Sequence, residues 1–495
     1  MRPAGPTPFR PRGALLAAAL ALAALTAGLL ALRDDAAASR AAAPDFARDV
    51  APILRAKCAG CHTVGGIAPF AFRTAADVSG RAAAVADAVR SGRMPPWPPG
   101  PRSPAFARQA QRTLTAAERT TLVRWAAAQL ARPGAARERT PVGEPPRPDT
   151  RLRPGETPLV LRPAGPYTPG GVAGAGDDYR CFLLDPRLTE DVFVTSARIE
   201  PDAAALVHHV ILLRVPPGSV ARAQALDSAA PGRGWGCFGG TGIGGEASDP
   251  AGALENAPWI SAWAPGAGPQ RLGGRLGIPV AAGSRVVMQV HYTLANGRRP
   301  DRSRAVLTTV PASEGLTPVQ TVLLPAPVEL PCPRGARGPL CDRAAALAAQ
   351  VSTYGSTAGL IPVGLLLLCG GNAAAPVPSP TTSCDRRLDR PTTIHAVAGH
   401  MHLLGRSIRV ELNPGTARAR VLLEIPRWDF HWQATYALAQ PVTAAPGDVL
   451  RVSCRHDPEL RARVAPPGAR APRYTLWGEG TADEMCLGVL QVTRG

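Results

Sequence analysis

The sequence predicts a multidomain chain in which a small all-α domain is followed by two all-β antiparallel sandwich domains. Three observations predict it. Helical spacing is concentrated in the first part, where it runs into Cys58-Ala59-Gly60-Cys61-His62 and returns in a segment opened by Thr115 and Glu118, with Ala344–Ala349 as one helical exception further on. A stretch at 133–158 is rich in proline and charge and lacks a hydrophobic period, as a semi-rigid tether does. Beyond it, short alternating or apolar runs are separated by Pro/Gly turns, the pattern of antiparallel sandwiches. The 54 prolines and 51 glycines among 495 residues agree with short strands and many turns.

Residues 1–42 read as a targeting segment. Arg2, Arg10 and Arg12 precede an uninterrupted apolar run from Gly13 to Leu32, a charged region followed by a hydrophobic one. The run is about 20 residues, enough to span a bilayer, and small residues between Ala36 and Ala42 suit a signal peptidase. A cleaved signal peptide and an uncleaved membrane anchor both fit. Either one places the remainder outside the cytoplasm, in the periplasm or another extracytoplasmic space.

Residues 43–132 form the helical domain. Phe46, Val50, Ile53 and Leu54 follow helical spacing into the C-x-x-C-H motif. That motif attaches a c-type haem: Cys58 and Cys61 form thioethers to its vinyl groups, and His62 is an axial iron ligand. A thioredoxin-like redox pair, the other reading of C-x-x-C, lacks its βαβ context here. The second axial ligand is expected from Met94, in Gly92-Arg93-Met94-Pro95-Pro96-Trp97, because the prolines hold that loop extended. Met/His ligation raises the reduction potential and closes the iron to substrates. Thr115 and Glu118 make a capping box for a closing helix that buries Leu122 and Trp125. The module resembles a small class I cytochrome c with one covalently bound haem.

The other eight cysteines, in an exported chain, imply up to four disulfides. Cys454–Cys486 is the first expected, since it ties the strand bearing Met485 to a neighbour. Cys332–Cys341, Cys369–Cys384 and Cys181–Cys237 are the simplest remainder, although spacing alone does not fix connectivity. The net charge of +18 does not signal nucleic acid: of 55 basic residues only Lys57 is a lysine, and the arginines are spread along the chain. No basic run is interleaved with aromatics, as a strand-binding groove requires.

Five of the nine histidines fall in two clusters within the β region. His400 and His402 stand two apart, so one strand can present both on one face. About eighty residues later Met485 offers a thioether, a soft ligand that favours Cu(I), while imidazole suits copper in general. Upstream, Val207-His208-His209 and Gln289-Val290-His291-Tyr292 supply three further imidazoles. Neighbouring residues on a regular strand face opposite sides, so His208 and His209 need a bulge, a strand end or unlike ring nitrogens to share a metal. Gln289, on the face of His291, is placed to orient a ligand or a bound water. His395, His431 and His456 read as structural or surface histidines. The region divides into a first sandwich at 159–315 and a second at 316–495, and 331–383 reads as an insertion over the second.

These stretches, with Leu403-Leu404-Gly405, Pro446-Gly447-Asp448-Val449-Leu450, Ser453-Cys454 and Asp483-Glu484-Met485-Cys486, resemble in order the copper type II, ascorbate-dependent monooxygenases. The resemblance covers most of 159–495. It implies two jelly-roll-like sandwiches with one copper ion in each, facing across a cleft. His208, His209 and His291 would bind the electron-transfer copper; His400, His402 and Met485 would bind the catalytic copper, where O₂ is activated and a C–H bond hydroxylated. The peptide-amidating members clamp a peptide carboxylate with an Arg two residues before the H-x-H and polar residues after the Met. Those positions are Ala398, Leu487 and Val489 here, an apolar trio that cannot pair with a carboxylate.

The expected function is therefore an exported copper monooxygenase that hydroxylates a small, apolar or weakly polar molecule. Its electrons would come through the fused haem from an extracytoplasmic donor, or from ascorbate. The reading from a different class is a non-catalytic electron-transfer or copper-handling protein. Ligands split between separate, disulfide-stapled strands favour the enzyme, since a carrier more naturally uses exposed Met/His runs.

Overall fold

Asp45 starts the described chain's first helix by accepting the Arg48 N–H at 2.7 Å. The computed structural model describes residues 43–495 except 65, 67, 132–138, 147–148, 171–176, 231–232, 238–239, 244–253, 266, 295, 466–469, 479 and 481. The expected leader at 1–42 lies outside the described residues. Among those described, no helix is long and apolar enough to cross a membrane.

A π-helical turn at Phe46–Val50 continues into α1 (Ala51–Lys57), which ends at the C-x-x-C-H segment. It is followed by α2 (Ala75–Ser79), α3 (Ala82–Arg90) and α4 (Ala116–Ala131). The capping box at α4 forms as the sequence predicts: Thr115 N–H donates to Glu118 at 2.7 Å, and Glu118 N–H donates to Thr115 Oγ1 at 3.1 Å. Phe46, Val50, Leu54, Val78, Leu122 and Trp125 close a separate hydrophobic core. The expected tether is pinned at both ends. Val142 is buried in the helical core and its N–H donates to Arg73 O, while Glu156 forms an ion pair with Arg271 of the first sandwich. A lone anchoring valine leaves no periodic trace, which is why composition reads this stretch as free.

The first sandwich is built from β1 (Thr157–Leu161), β2 (Asp177–Leu184), β3 (Val192–Glu200), β4 (Val207–Val215), β5 (Trp259–Trp263), β6 (Leu276–Val280), β7 (Arg285–Thr293) and β8 (Arg304–Pro311). One sheet runs β1-β8-β3-β6, with two-residue strands at Gln270–Arg271 and Thr317–Pro318 alongside. The facing sheet runs from Trp235–Gly236 through β2, β7 and β4 to β5. Val194, Ile199, Val210, Leu212, Met288 and Val290 fill the space between. Thr317–Pro318 pairs with β6 and Val319 is buried in this core, so the sandwich extends past the boundary expected at 315.

The second sandwich comprises β9 (Gln320–Pro325), β10 (Thr381–Arg387), β11 (Thr392–His400), β12 (Gly405–Leu412), β13 (Arg420–Ile425), β14 (Tyr436–Ala444), β15 (Val449–His456) and β16 (Leu487–Arg494). Its sheets run β9-β16-β11-β14 and β10-β15-β12-β13, with every pair antiparallel. All four disulfides pair as the simplest scheme expects. The insertion holds two helices, α5 (Arg343–Tyr354) and α6 (Ser356–Leu368), where sequence spacing indicates one at 344–349. It covers the sandwich: Leu365 enters the core, and Gln350 Nε2 donates to Trp477 O at 2.7 Å.

The three units are in contact. Glu255 of the first sandwich pairs with Arg386 and Arg494 of the second. From the helical domain, residues 100–107 cross the edges of both sheets of the second sandwich. Gly100 N–H donates to Glu424 O on β13 at 2.7 Å; Ala107 N–H donates to Ala437 O, and Ala439 N–H to Ala105 O, on β14. The last two bonds cover a strand edge that would otherwise be open to foreign pairing. A Cβ on Gly100 would stand 2.9 Å from Pro426 Cδ, so that approach requires glycine.

The Cys454–Cys486 bond joins β15 to the residue after Met485 and closes a 32-residue separation. Replacing both cysteines with alanine should lower stability by about 3–4 kcal/mol through the unfolded-state entropy. Urea unfolding of the double variant checks this, and an unchanged midpoint contradicts it.

Candidate metal centre

Two histidine clusters come together, one on each sandwich. In the first, β4 and β7 are adjacent and place His209 opposite His291. Directly opposed residues share a sheet face, so these two rings meet without distortion. His208 is accommodated by a register shift between Val207 and His209, the bulge that adjacent ligands demand. Its Nδ1 lies 3.4 Å from His209 Nδ1, which lies 3.2 Å from His291 Nδ1. The ligand atoms of all three fall within 4.8 Å of one another. Tyr179, opposite His291 on β2, stacks on its ring at 4.2 Å.

Burial, reinforced by the neighbouring imidazoles, holds His208 and His209 well below the ordinary histidine range. They stay neutral at pH 7, with lone pairs available. Three converging imidazoles fit a copper ion that changes its oxidation state. Gln289 is turned elsewhere: its Nε2 donates to Cys237 O at 3.1 Å and secures the Cys181–Cys237 loop, not a histidine.

In the second cluster, β11 ends at His400, and His402 lies just beyond, on the connection to β12. The two rings are nonetheless 5.1 Å apart and nearly perpendicular. His400 faces Leu487, the first residue of β16, so Met485 precedes β16 as His402 follows β11. Glu484 welds these ends together. Its fully buried carboxylate accepts the His402 N–H at 3.0 Å and the Leu404 N–H, and lies 3.4 Å from His456 Nε2. His402 Nδ1 is 3.3 Å from Asp483 O, and His456 Nε2 is 3.2 Å from Met485 O. Burial pushes His400 down to about 4, with His402 adding to the shift; burial also lowers His402, against the pull of Glu484 and Asp483. Two neutral imidazoles suit copper, and Met485, buried on the chain end that Asp483 and Glu484 tie to His402, carries the soft thioether that favours Cu(I).

The connection between β13 and β14 touches both clusters. Trp428 Nε1 donates to His402 O at 3.0 Å. Gly405 makes room for that indole, because a Cβ there would stand 2.6 Å from Trp428 Cδ1. The Phe430 ring stacks on His208 at 5.1 Å and meets His402 edge-on at 6.0 Å. Gln433 Oε1 lies 2.6 Å from His400 Nδ1. His431, hydrogen-bonded to Asp429, stands 5.9 Å from the His208 ring. Nothing in the sequence singles out Phe430 or Gln433, and His431 and His456 read there as structural or surface histidines. A Phe and a Gln have no ligand signature, and only folding brings them to the histidines.

In the helical domain, Cys58 and Cys61 are the two cysteines outside disulfides. Burial pushes the Cys58 thiol up to about 12 and raises Cys61 as well, which disfavours the thiolates a redox pair uses. His62 Nδ1 lies 3.2 Å from Phe70 O, a bond that puts the proton on Nδ1 and leaves Nε2 free to donate to a metal. Unpaired thiols beside an imidazole oriented in this way fit a covalently attached haem. Met94 lies on the loop that leaves α3, with its N–H donated to Ala88 O at 3.1 Å.

Residues 378–491 match the family model for the C-terminal domain of the copper type II ascorbate-dependent monooxygenases, and this span contains His400, His402 and Met485. The DBH-like monooxygenase protein 1 of Homo sapiens is 33% identical over 104 residues, 21% of this chain and 15% of that protein. The Gallus gallus protein of the same name matches to the same extent. The match thus spans 15% of the length of these curated relatives. Among solved structures, the major capsid protein P2 of bacteriophage PM2 overlays 68% of this chain and 98% of its own, at 9% identity and a TM-score of 0.23. That fit is too loose to carry an argument.

Two outcomes follow from the electrostatics. Burial alone would raise the Glu484 carboxyl, but hydrogen bonds from the His456 ring and the His402 backbone hold it below the usual carboxylate value. Glu484→Ala leaves the buried His402 and Leu404 N–H groups unpaired and takes one partner from His456, and should cost about 2–5 kcal/mol in denaturant unfolding. In copper-free protein, His208, His209, His400 and His402 resist protons that the unfolded chain takes up below about pH 6.5. Their contribution to stability is present above that pH and lost as pH falls, so the thermal midpoint of metal-free protein should drop on acidification. A flat profile would contradict the assignment.

Proposed function

We propose that this chain is an exported copper-dependent monooxygenase that hydroxylates a C–H bond of a small organic molecule with O₂, drawing electrons through its c-type haem. The observation that carries the reading is the paired arrangement: three imidazoles at one point, two imidazoles at another with Met485 buried on the chain end tied to His402, and Phe430 between them. The family match over 378–491 supports copper and monooxygenase chemistry in the second sandwich.

His208, His209 and His291 are assigned to hold one copper, and His400, His402 and Met485 the other. Bound copper would supply one-electron redox chemistry at both points and oxygen activation at the second. Cys58, Cys61, His62 and Met94 are assigned to the haem. Gln433 fixes the ring orientation of His400, and Glu484 holds His402 in register with Met485. Tyr179 and Phe430 enclose the first cluster with aromatic surface and limit water around it. Ala398 and Val489 lie opposite each other on β11 and β16, and Leu487 lies opposite His400. This lining offers no cation for a carboxylate, so the substrate class is apolar or weakly polar. Ascorbate remains the alternative reductant, and the leader, as signal or anchor, the route of export.

Metal analysis should give two coppers and one haem per chain, with one copper lost in His209→Ala and the other in His400→Ala. Oxygen uptake should depend on a hydroxylatable compound. Mass spectrometry of a small-molecule panel should then find a product heavier by one oxygen atom that the His400→Ala protein does not make. Copper and haem bound at these ratios, with no oxygenated product across the panel, would instead favour a carrier of electrons or copper.

A further inference from the structure

The helical domain is docked on the second sandwich, and the place where it docks selects one of the two metal clusters. Trp97, three residues after Met94, projects into the joint. Its ring meets Tyr436 at 5.4 Å and Phe106 at 6.1 Å, and Phe106 meets Tyr436 at 5.2 Å. Phe106 and Tyr436 are both buried in the core of the second sandwich, with Trp97 packed against it. Around these rings the joint is held by Gly100, Ala105 and Ala107 on the backbones of β13 and β14, and by an Arg102–Glu424 ion pair whose carboxylate is largely buried.

Tyr436 leads to His400 by two short routes. On β14 it lies opposite Val397 of β11, three residues before His400. Along the chain it follows Gln433, on the connection into β14, whose side chain bonds to His400, by three residues. The first sandwich reaches the same connection through the His208–Phe430 stacking and through Trp259, which lines a small cavity with Thr435, but among the described residues no ring of its histidine cluster touches Trp97 or Tyr436.

We infer that electrons from the helical domain enter the copper pair at the His400/His402/Met485 centre, across the Trp97–Tyr436 ring contact, and not at the three-histidine centre. This rests on the haem and copper assignments proposed above. In the step, one electron leaves the ferrous haem, which becomes ferric, and reduces one Cu(II) to Cu(I); no bond or proton changes place. Trp97 and Tyr436 are positioning residues that fix the spacing of donor and acceptor. The packed joint matters because a domain held only by a tether is restricted to encounters at millimolar effective concentration, whereas a docked one is always in place.

The test is anaerobic rapid mixing of ferrous full-length protein, loaded at a single copper centre, with absorbance of the haem as the readout. In His209→Ala protein, which keeps only the second centre, haem oxidation by Cu(II) should stay as fast as in the parent. In His400→Ala protein, which keeps only the first, it should slow by about tenfold or more. Tyr436→Leu in the His209→Ala background should slow it to a similar degree, and Tyr436→Phe should restore it. Arg102→Glu disturbs the joint from its exposed side without touching the core, and should also slow transfer while making the 133–158 segment more sensitive to protease. Slow transfer in His209→Ala with fast transfer in His400→Ala overturns the inference and leaves the proposed function standing. Failure of either variant to lose a copper overturns the site assignment itself, and the inference with it.

Discussion

One buried carboxylate holds the second histidine cluster together. Glu484 has no exposure to water, and it reaches across to the segment 402–404 that leaves β11. A charge in that position is tolerable only because backbone donors and His456 surround it. The arrangement brings His402 and Met485, more than eighty positions apart in the sequence, to facing chain ends. Cys454–Cys486 then fixes the next residue to β15. The placement of His402 against Met485 therefore depends on a side chain that belongs to neither.

The two sandwiches reach their clusters by different means. In the first, neighbouring strands supply His209 and His291 in register, and a single bulge turns His208 toward them. In the second, the strands have ended and the histidines sit where regular pairing stops. A sheet interior gives fixed spacing with little freedom, which suits a site that only changes charge. Strand ends leave room for a ligand to approach.

Much of this was legible in the chain. Alternating or apolar runs at 191–199, 206–215, 284–294 and 486–493 mark the strands at 192–200, 207–215, 285–293 and 487–494 within a residue or two, because one face of each must be apolar. The disulfides followed from simple pairing, and the awkward neighbours His208 and His209 called for a bulge, a strand end or unlike ring nitrogens, of which the register shift is the first. What stayed hidden depends on tertiary approach. Gln289 reads as a partner of His291 and instead serves Cys237, since the same face of a strand points at several neighbours. Phe430, Gln433 and His431 lie on an irregular connection, where no periodicity indicates direction. The helix α6 was masked by its own apolarity, because a continuous run gives no period.

The contact between Ser103 and Glu424 spans 321 residues of sequence. During synthesis the helical part can fold early, yet the surface it must rest on is completed only when β13 and β14 have been translated. Until then Trp97 and Phe106 stay wetted, and the nascent chain carries an apolar strip with no cover. A cell making this protein therefore has reason to shield that strip for most of translation, so demand for a chaperone should fall on the oldest part of the chain and end near its C-terminus.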